Sequence, residues 1–135
     1  MNFDGACEPV NPGGNMGFGT LIVDLGSGET IYEGSGFSPA SPLNSNNVAE
    51  YLALIQGFEW LIENGLQNSK IKVLGDSQLV IKQMSGEWPA KKGLYVPHYQ
   101  RAIKLRIKFP NITFNWIPRN ENAGADKLSK AHVQA

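Results

Sequence analysis

Asn46-Asn47-Val48-Ala49-Glu50-Tyr51-Leu52-Ala53-Leu54 opens a helical run that reaches about Asn64, and Gly65 suits its C-terminal cap. What flanks this stretch decides the fold. Before it lie strand signals alone. Met1 to Ala6 reads as a very short strand. Met16 to Leu25 and Thr30 to Phe37 are β-branched, apolar runs joined by Gly26-Ser27-Gly28-Glu29, a hairpin signal. Pro9, Pro12, Gly13 and Gly14 mark the first loop, and Ser38 to Ser45 is another. After the helix the chain alternates: a strand over Lys70–Gly75, a short helix over Ser77–Met84, a loop over Ser85–Gly93, and a helix over Tyr95–Lys108. A strand over Ile112–Ile117, stopped by Pro118, and a helix from Asn122 to near His132 complete it. A meander followed by β-α-β crossovers predicts an α/β fold, a mixed sheet with helices on its faces.

Within the helix, Glu59 and Glu63 fall about 180° and 220° from Glu50 at 100° per residue, whereas Leu54, Gly57 and Leu61 fall within about 40° of it. Glu59 and Glu63 therefore define the wet face, and Glu50 is aimed at the packed side. Three more acids sit in apolar or small-residue settings. Asp4 lies in Phe3-Asp4-Gly5-Ala6-Cys7, Asp76 follows Ile71-Lys72-Val73-Leu74-Gly75, and Asp126 lies in Asn122-Ala123-Gly124-Ala125-Asp126. Isolated anions in such places are costly. Brought together they repel, and divalent cations are the remedy. The pattern points to a metal-dependent enzyme acting on phosphates.

The 135 residues are 41% apolar and 18% charged, which fits one globular domain over 1–135. Cys7 stands alone, so a disulfide within the chain and a cysteine-based metal site are excluded. No long apolar run exists, so no membrane association is expected, and a cytoplasmic location and a monomeric state without obligate protein partner are the default readings. Net charge is zero but divided. Residues 1–69 hold eight acids and no Lys or Arg, and residues 70–135 hold all twelve bases and four acids. Either a basic face binds a polyanion or the halves attract each other.

The four acidic segments, in this order, resemble the type 1 ribonuclease H family, in its compact form without the basic protrusion. Phe3-Asp4-Gly5-Ala6-Cys7 with Asn11-Pro12-Gly13-Gly14 is similar to the family's opening motif, and Asn46-Asn47-x-x-Glu50, Asp76-Ser77-Gln78 and Asn122-x-x-x-Asp126 supply the rest. The resemblance implies a ribonuclease H fold with a five-stranded mixed sheet. It also implies endonucleolytic hydrolysis of the RNA strand of an RNA/DNA hybrid, leaving 5′-phosphate and 3′-hydroxyl ends. Asp4, Glu50, Asp76 and Asp126 would hold two Mg²⁺ ions, with Mn²⁺ as an alternative. Asn11, Asn46, Asn47 and Gln78 would read the 2′-hydroxyl and minor-groove edges.

Many bacterial members carry a His before the last Asp; here that region is Pro118-Arg119-Asn120-Glu121-Asn122, and Arg119 is the polar candidate for contact with a phosphate or the leaving group. Alternative roles are turn former for Asn11, helix cap for Asn46 or Asn47, and surface residue for Gln78. Trp60 and Trp116 are expected in the core; Trp88, Lys91 and Lys92 either line a channel for the DNA strand or, in the reading preferred, form a loop in which Trp88 covers core beside solvated lysines. His132 is expected to face solvent. A nuclease acting on double-stranded RNA, and a non-catalytic hybrid-binding module, are the competing functional readings.

Overall fold

A computed structural model describes residues 1–131. In chain order the elements are β1 (Asn2–Glu8), β2 (Asn15–Val23), β3 (Thr30–Ser38), α1 (Asn46–Glu63), β4 (Ile71–Gly75), α2 (Gln78–Met84), α3 (Val96–Arg106), β5 (Ile112–Trp116), a 3₁₀ turn (Arg119–Glu121) and α4 (Ala123–Ser129). The strands form one sheet in the order β3-β2-β1-β4-β5. β1 to β3 are an antiparallel meander, and β4 and β5 join in parallel. The sheet is the mixed, five-stranded one expected.

Several boundaries differ from expectation. β1 runs on to Glu8, because Asn2 to Glu8 all pair with Leu21 to Asn15 of β2, so the first strand is not very short. α3 is shorter at both ends. α4 stops at Ser129, with Lys130 as its cap, before the expected His132, which lies outside the described residues. α1 is capped by Ser45, whose side chain accepts from the Val48 amide, and not by Asn46 or Asn47. It ends at Asn64 and Gly65, the latter at φ +69°, the left-handed turn that glycine permits.

The core lies between the sheet and α1 to α3. Phe3, Tyr51, Leu54, Phe58, Val73, Val80 and Met84 are buried in one cluster. Helical spacing explains α1: Tyr51, Leu54, Phe58 and Leu61 share the buried face with Glu50, while Glu63 is exposed. Trp60 is half-buried and stacks on Tyr32 at 5.0 Å between centroids. Trp116 and Trp88 contradict the sequence reading, being 45% and 43% exposed. Trp116 is the last residue of β5 and opens onto a cleft. The Trp88 loop is anchored instead by Gln83, which donates to the Pro89 carbonyl and to Tyr95 Oη while accepting from Tyr51 Oη at 2.6 Å. Among the described residues no helix is long and apolar enough to cross a membrane.

Candidate active site

Asp4 is mid-strand on the central strand β1. Its neighbour Gly5 lets α1 come close: a Cβ there would lie 2.5 Å from Ala49 C and from Glu50 N. That approach sets Glu50, in the second turn of α1, against Asp4. β1 and β4 run parallel with Asn2 opposite Leu74, so Asp76, just past the end of β4, arrives level with Asp4. A carboxylate oxygen from each of Asp4, Glu50 and Asp76 lies within 4.8 Å of the other two. Residues far apart in the sequence thus converge on one point; Asp76 lies just past a strand end as expected, whereas Asp4 sits within β1 and not at its end.

Asp4 and Glu50 are only 6% and 7% exposed. Burial pushes the Asp4 carboxyl up to about 7, helped by repulsion from Asp76 and a hydrogen bond shared with Asp126, and opposed by the Gly5 amide that donates to Asp4 Oδ1 at 3.0 Å. Glu50 is held well above the ordinary carboxylate range by burial and then by Asp4 and Asp76. Asp76 is raised by burial, against its own backbone amide and the Arg119 guanidinium. The Glu50 Oε2 atom is buried and accepts no hydrogen bond. A buried acceptor without a donor, on a carboxylate grouped with two others, matches what a hard divalent cation takes as ligand, so these residues fit a metal site.

Asp126 approaches Asp4 from α4. It is flanked by Lys130 Nζ at 3.5 Å and Arg119 Nη2 at 4.0 Å. Asn122, at the helix start, makes no side-chain cap; buried, it donates instead to the Phe3 carbonyl and ties α4 to β1. Asn122 thus stands at the N-cap position of α4, as its residue type suggests, but spends its side chain on β1.

The four acids line a cleft of about 530 Å³ with Asn11, Asn46, Trp116, Arg119 and Lys130. Asn11 Oδ1 accepts from the Asn46 amide at 3.1 Å, joining the first loop to the start of α1. Asn47 is half-buried and Gln78 exposed in the first turn of α2, both outside the lining of the cleft. Trp116 and Lys130 were not anticipated at the site. Lys130 stands one helical turn after Asp126, a spacing that signals such a pair. Trp116 gave no such signal. Of the ion pairs among the described residues, Arg101–Glu59 at 2.7 Å bridges the acidic and basic halves, while Lys82–Glu87, Arg119–Asp126 and Lys130–Asp126 lie within the second.

A family profile described as reverse transcriptase-like matches residues 2–132. The bifunctional protein Rv2228c of Mycobacterium tuberculosis is 34% identical over 125 residues, 93% of this chain and 33% of that protein. The chain therefore spans about a third of the length of that relative. The crystal structure of RNase H1 from the halophilic archaeon Halobacterium salinarum NRC-1 superposes with a TM-score of 0.80 at 32% identity, covering 99% of this chain and 96% of that one. LC11-RNase H1, solved in complex with an RNA/DNA hybrid, gives 0.81 at 31% identity, with 96% and 92% covered. With the meander, the crossovers and the clustered acids, these similarities lead to one assignment: the chain belongs to the type 1 ribonuclease H family.

Proposed function

We propose that residues 1–135 form one ribonuclease H domain that hydrolyses the RNA strand of RNA/DNA hybrids, leaving 5′-phosphate and 3′-hydroxyl ends. The convergence of Asp4, Glu50 and Asp76, together with a Glu50 oxygen buried without a hydrogen-bond donor, carries this reading. Asp4, Glu50, Asp76 and Asp126 would together hold two Mg²⁺ ions, or Mn²⁺ in their place. Such ions, when bound, supply an activated water and neutralise charge on the phosphoryl group.

The chain's own residues do the rest. Gly5 and the parallel β1–β4 pairing hold the carboxylates at fixed separation before substrate arrives. Burial keeps competing water from the Glu50 side. Arg119, exposed on the cleft wall, is placed to contact a phosphate or the leaving group; it cannot serve as a base, because a guanidinium stays protonated. Asn11 and Asn46 line the cleft with groups that both donate and accept, which suits a 2′-hydroxyl. Asn47 and Gln78, outside the cleft lining, would contact the hybrid beyond it.

The test is cleavage of labelled hybrid, RNA duplex and DNA duplex with Mg²⁺ and with Mn²⁺. The hybrid is cut in its RNA strand, EDTA stops the reaction, and Asp76→Asn is inactive with an unchanged circular dichroism spectrum. Turnover at the wild-type rate by that variant, or preference for the RNA duplex, contradicts the reading.

A further inference from the structure

Trp116 is the last residue of β5, paired in register with Gly75 beside Asp76. Its indole Nε1 donates to the Asp76 carbonyl at 3.1 Å. Yet the residue is 45% exposed and lines the carboxylate cleft. Large aromatic rings usually bury their surface, and a tryptophan left open at a cleft wall has a face to offer. Trp88 is as exposed, but it lies outside the lining of the cleft.

We infer that Trp116 is a stacking subsite for one nucleoside of the strand seated beside Asp76. The inference rests on the nuclease reading above and names a contact within it. Its physical basis is a conflict in the cleft. Five acids against Arg119 and Lys130 line the cleft, so wherever bound cations do not offset them a contact independent of charge helps to hold the strand. Stacking on a π-face supplies one that every base can use. The hydrogen bond to Asp76 fixes the ring before binding, so little side-chain freedom is left to lose. Arg119, three residues on and on the same cleft, stands where it can take the phosphate of the stacked nucleotide. The indole thus links two tasks. Its N–H orients the backbone of Asp76, and its face receives the substrate.

Two substitutions separate these tasks. W116F keeps an aromatic face and deletes the donor. W116L deletes both. With a labelled RNA/DNA hybrid in Mg²⁺, both variants lower kcat through the freed Asp76 carbonyl. W116L also raises KM about tenfold, the size of effect that loss of one base–aromatic stack produces, while W116F stays within about twofold of wild type. In a W60F/W88F chain, Trp116 is the one tryptophan left, and adding hybrid in EDTA quenches its emission. A W116L KM within twofold of wild type, a W116F KM raised as far as that of W116L, or unquenched emission overturns the subsite while leaving hybrid cleavage by the wild-type chain standing. Absence of hybrid cleavage by the wild-type chain overturns the nuclease reading itself, and the subsite with it.

Discussion

The side-chain amide of Asn122 donates to the backbone carbonyl of Phe3 at 2.9 Å. The same side chain accepts from Asn2 Nδ2 at 3.0 Å, and it is 1% exposed. One buried amide therefore fixes the start of α4 to the strand that carries Asp4, and so fixes Asp126 relative to Asp4. Asn122→Ala removes both bonds and strands buried partners. It costs about 1–3 kcal/mol in urea denaturation and lowers kcat more than it alters KM. Unchanged stability would show that the tie is idle.

The buried carboxyls of the metal-free protein lose their stabilising protonation as pH rises, while the Met1 amine, lowered by burial to about 6, and His98, also lowered, act in the opposite direction. Asp4 has its carboxyl raised from the ordinary 3.8 to about 7. The folded state therefore binds more protons than the unfolded one between those values, and stability falls with increasing pH. The contribution is complete below about pH 4 and gone above about pH 7. Glu50 and Asp76, also raised, act in the same direction. Urea midpoints in EDTA are higher at pH 5 than at pH 8, and Asp4→Asn flattens the slope. With saturating Mg²⁺ the dependence shrinks, because the ions bind the deprotonated form. A pH slope in EDTA that is the same for Asp4→Asn as for wild type would refute the assignment.

Glu50→Gln separates stability from function. The buried carboxylate with a partnerless oxygen is replaced by a neutral group of the same shape. The variant melts higher than wild type in EDTA, by the equivalent of about 1 kcal/mol or more. It gains little from added Mg²⁺, whereas wild type gains stability in proportion to the logarithm of ion concentration. Thermal melts across a Mg²⁺ series check both halves of the statement.

Gly5→Ala is among the harshest single changes available. The new methyl would meet Ala49 C, Glu50 N and Ala49 Cβ at 2.5–2.6 Å, and two of these are backbone atoms that cannot rotate away. Strand and helix must part, at a cost of about 1–3 kcal/mol or more. Hybrid cleavage falls further than stability does, since the separation also moves Glu50 from Asp4. A variant with both properties near wild type would mean that the two elements slide freely.

Much of this was legible in residues alone. The hairpin, the helix with Glu50 turned inward and the alternation after it were set by periodicity and by glycine and proline punctuation, which are local signals. Asp76 was expected just past a strand end and lies there, but the expectation that Asp4 ends its strand fails: β1 runs on to Glu8, and it is the parallel β1–β4 register that sets Asp4 level with Asp76. What escaped was set by tertiary context. Trp116 shares its strand face with the half-buried Phe114, and nothing local says that the cover ends before position 116. Trp88 lies in a loop whose anchor is Gln83, a polar residue that gives no sign of burial. Asn122 reads as a helix cap by type and position, but its amide is drawn across to β1 by a partner some 119 residues away.

The seam between acidic and basic halves has a practical consequence. It falls between α1 and β4, near Gly65, in a stretch open to solvent. Chain cleaved there yields two peptides of opposite charge, one supplying Asp4 and Glu50, the other Asp76 and Asp126. Neither fragment carries all four acids, and their charges draw them together. Mixed, they should recover nuclease activity that neither has apart, giving a split reporter whose signal is the rejoining of β1 with β4.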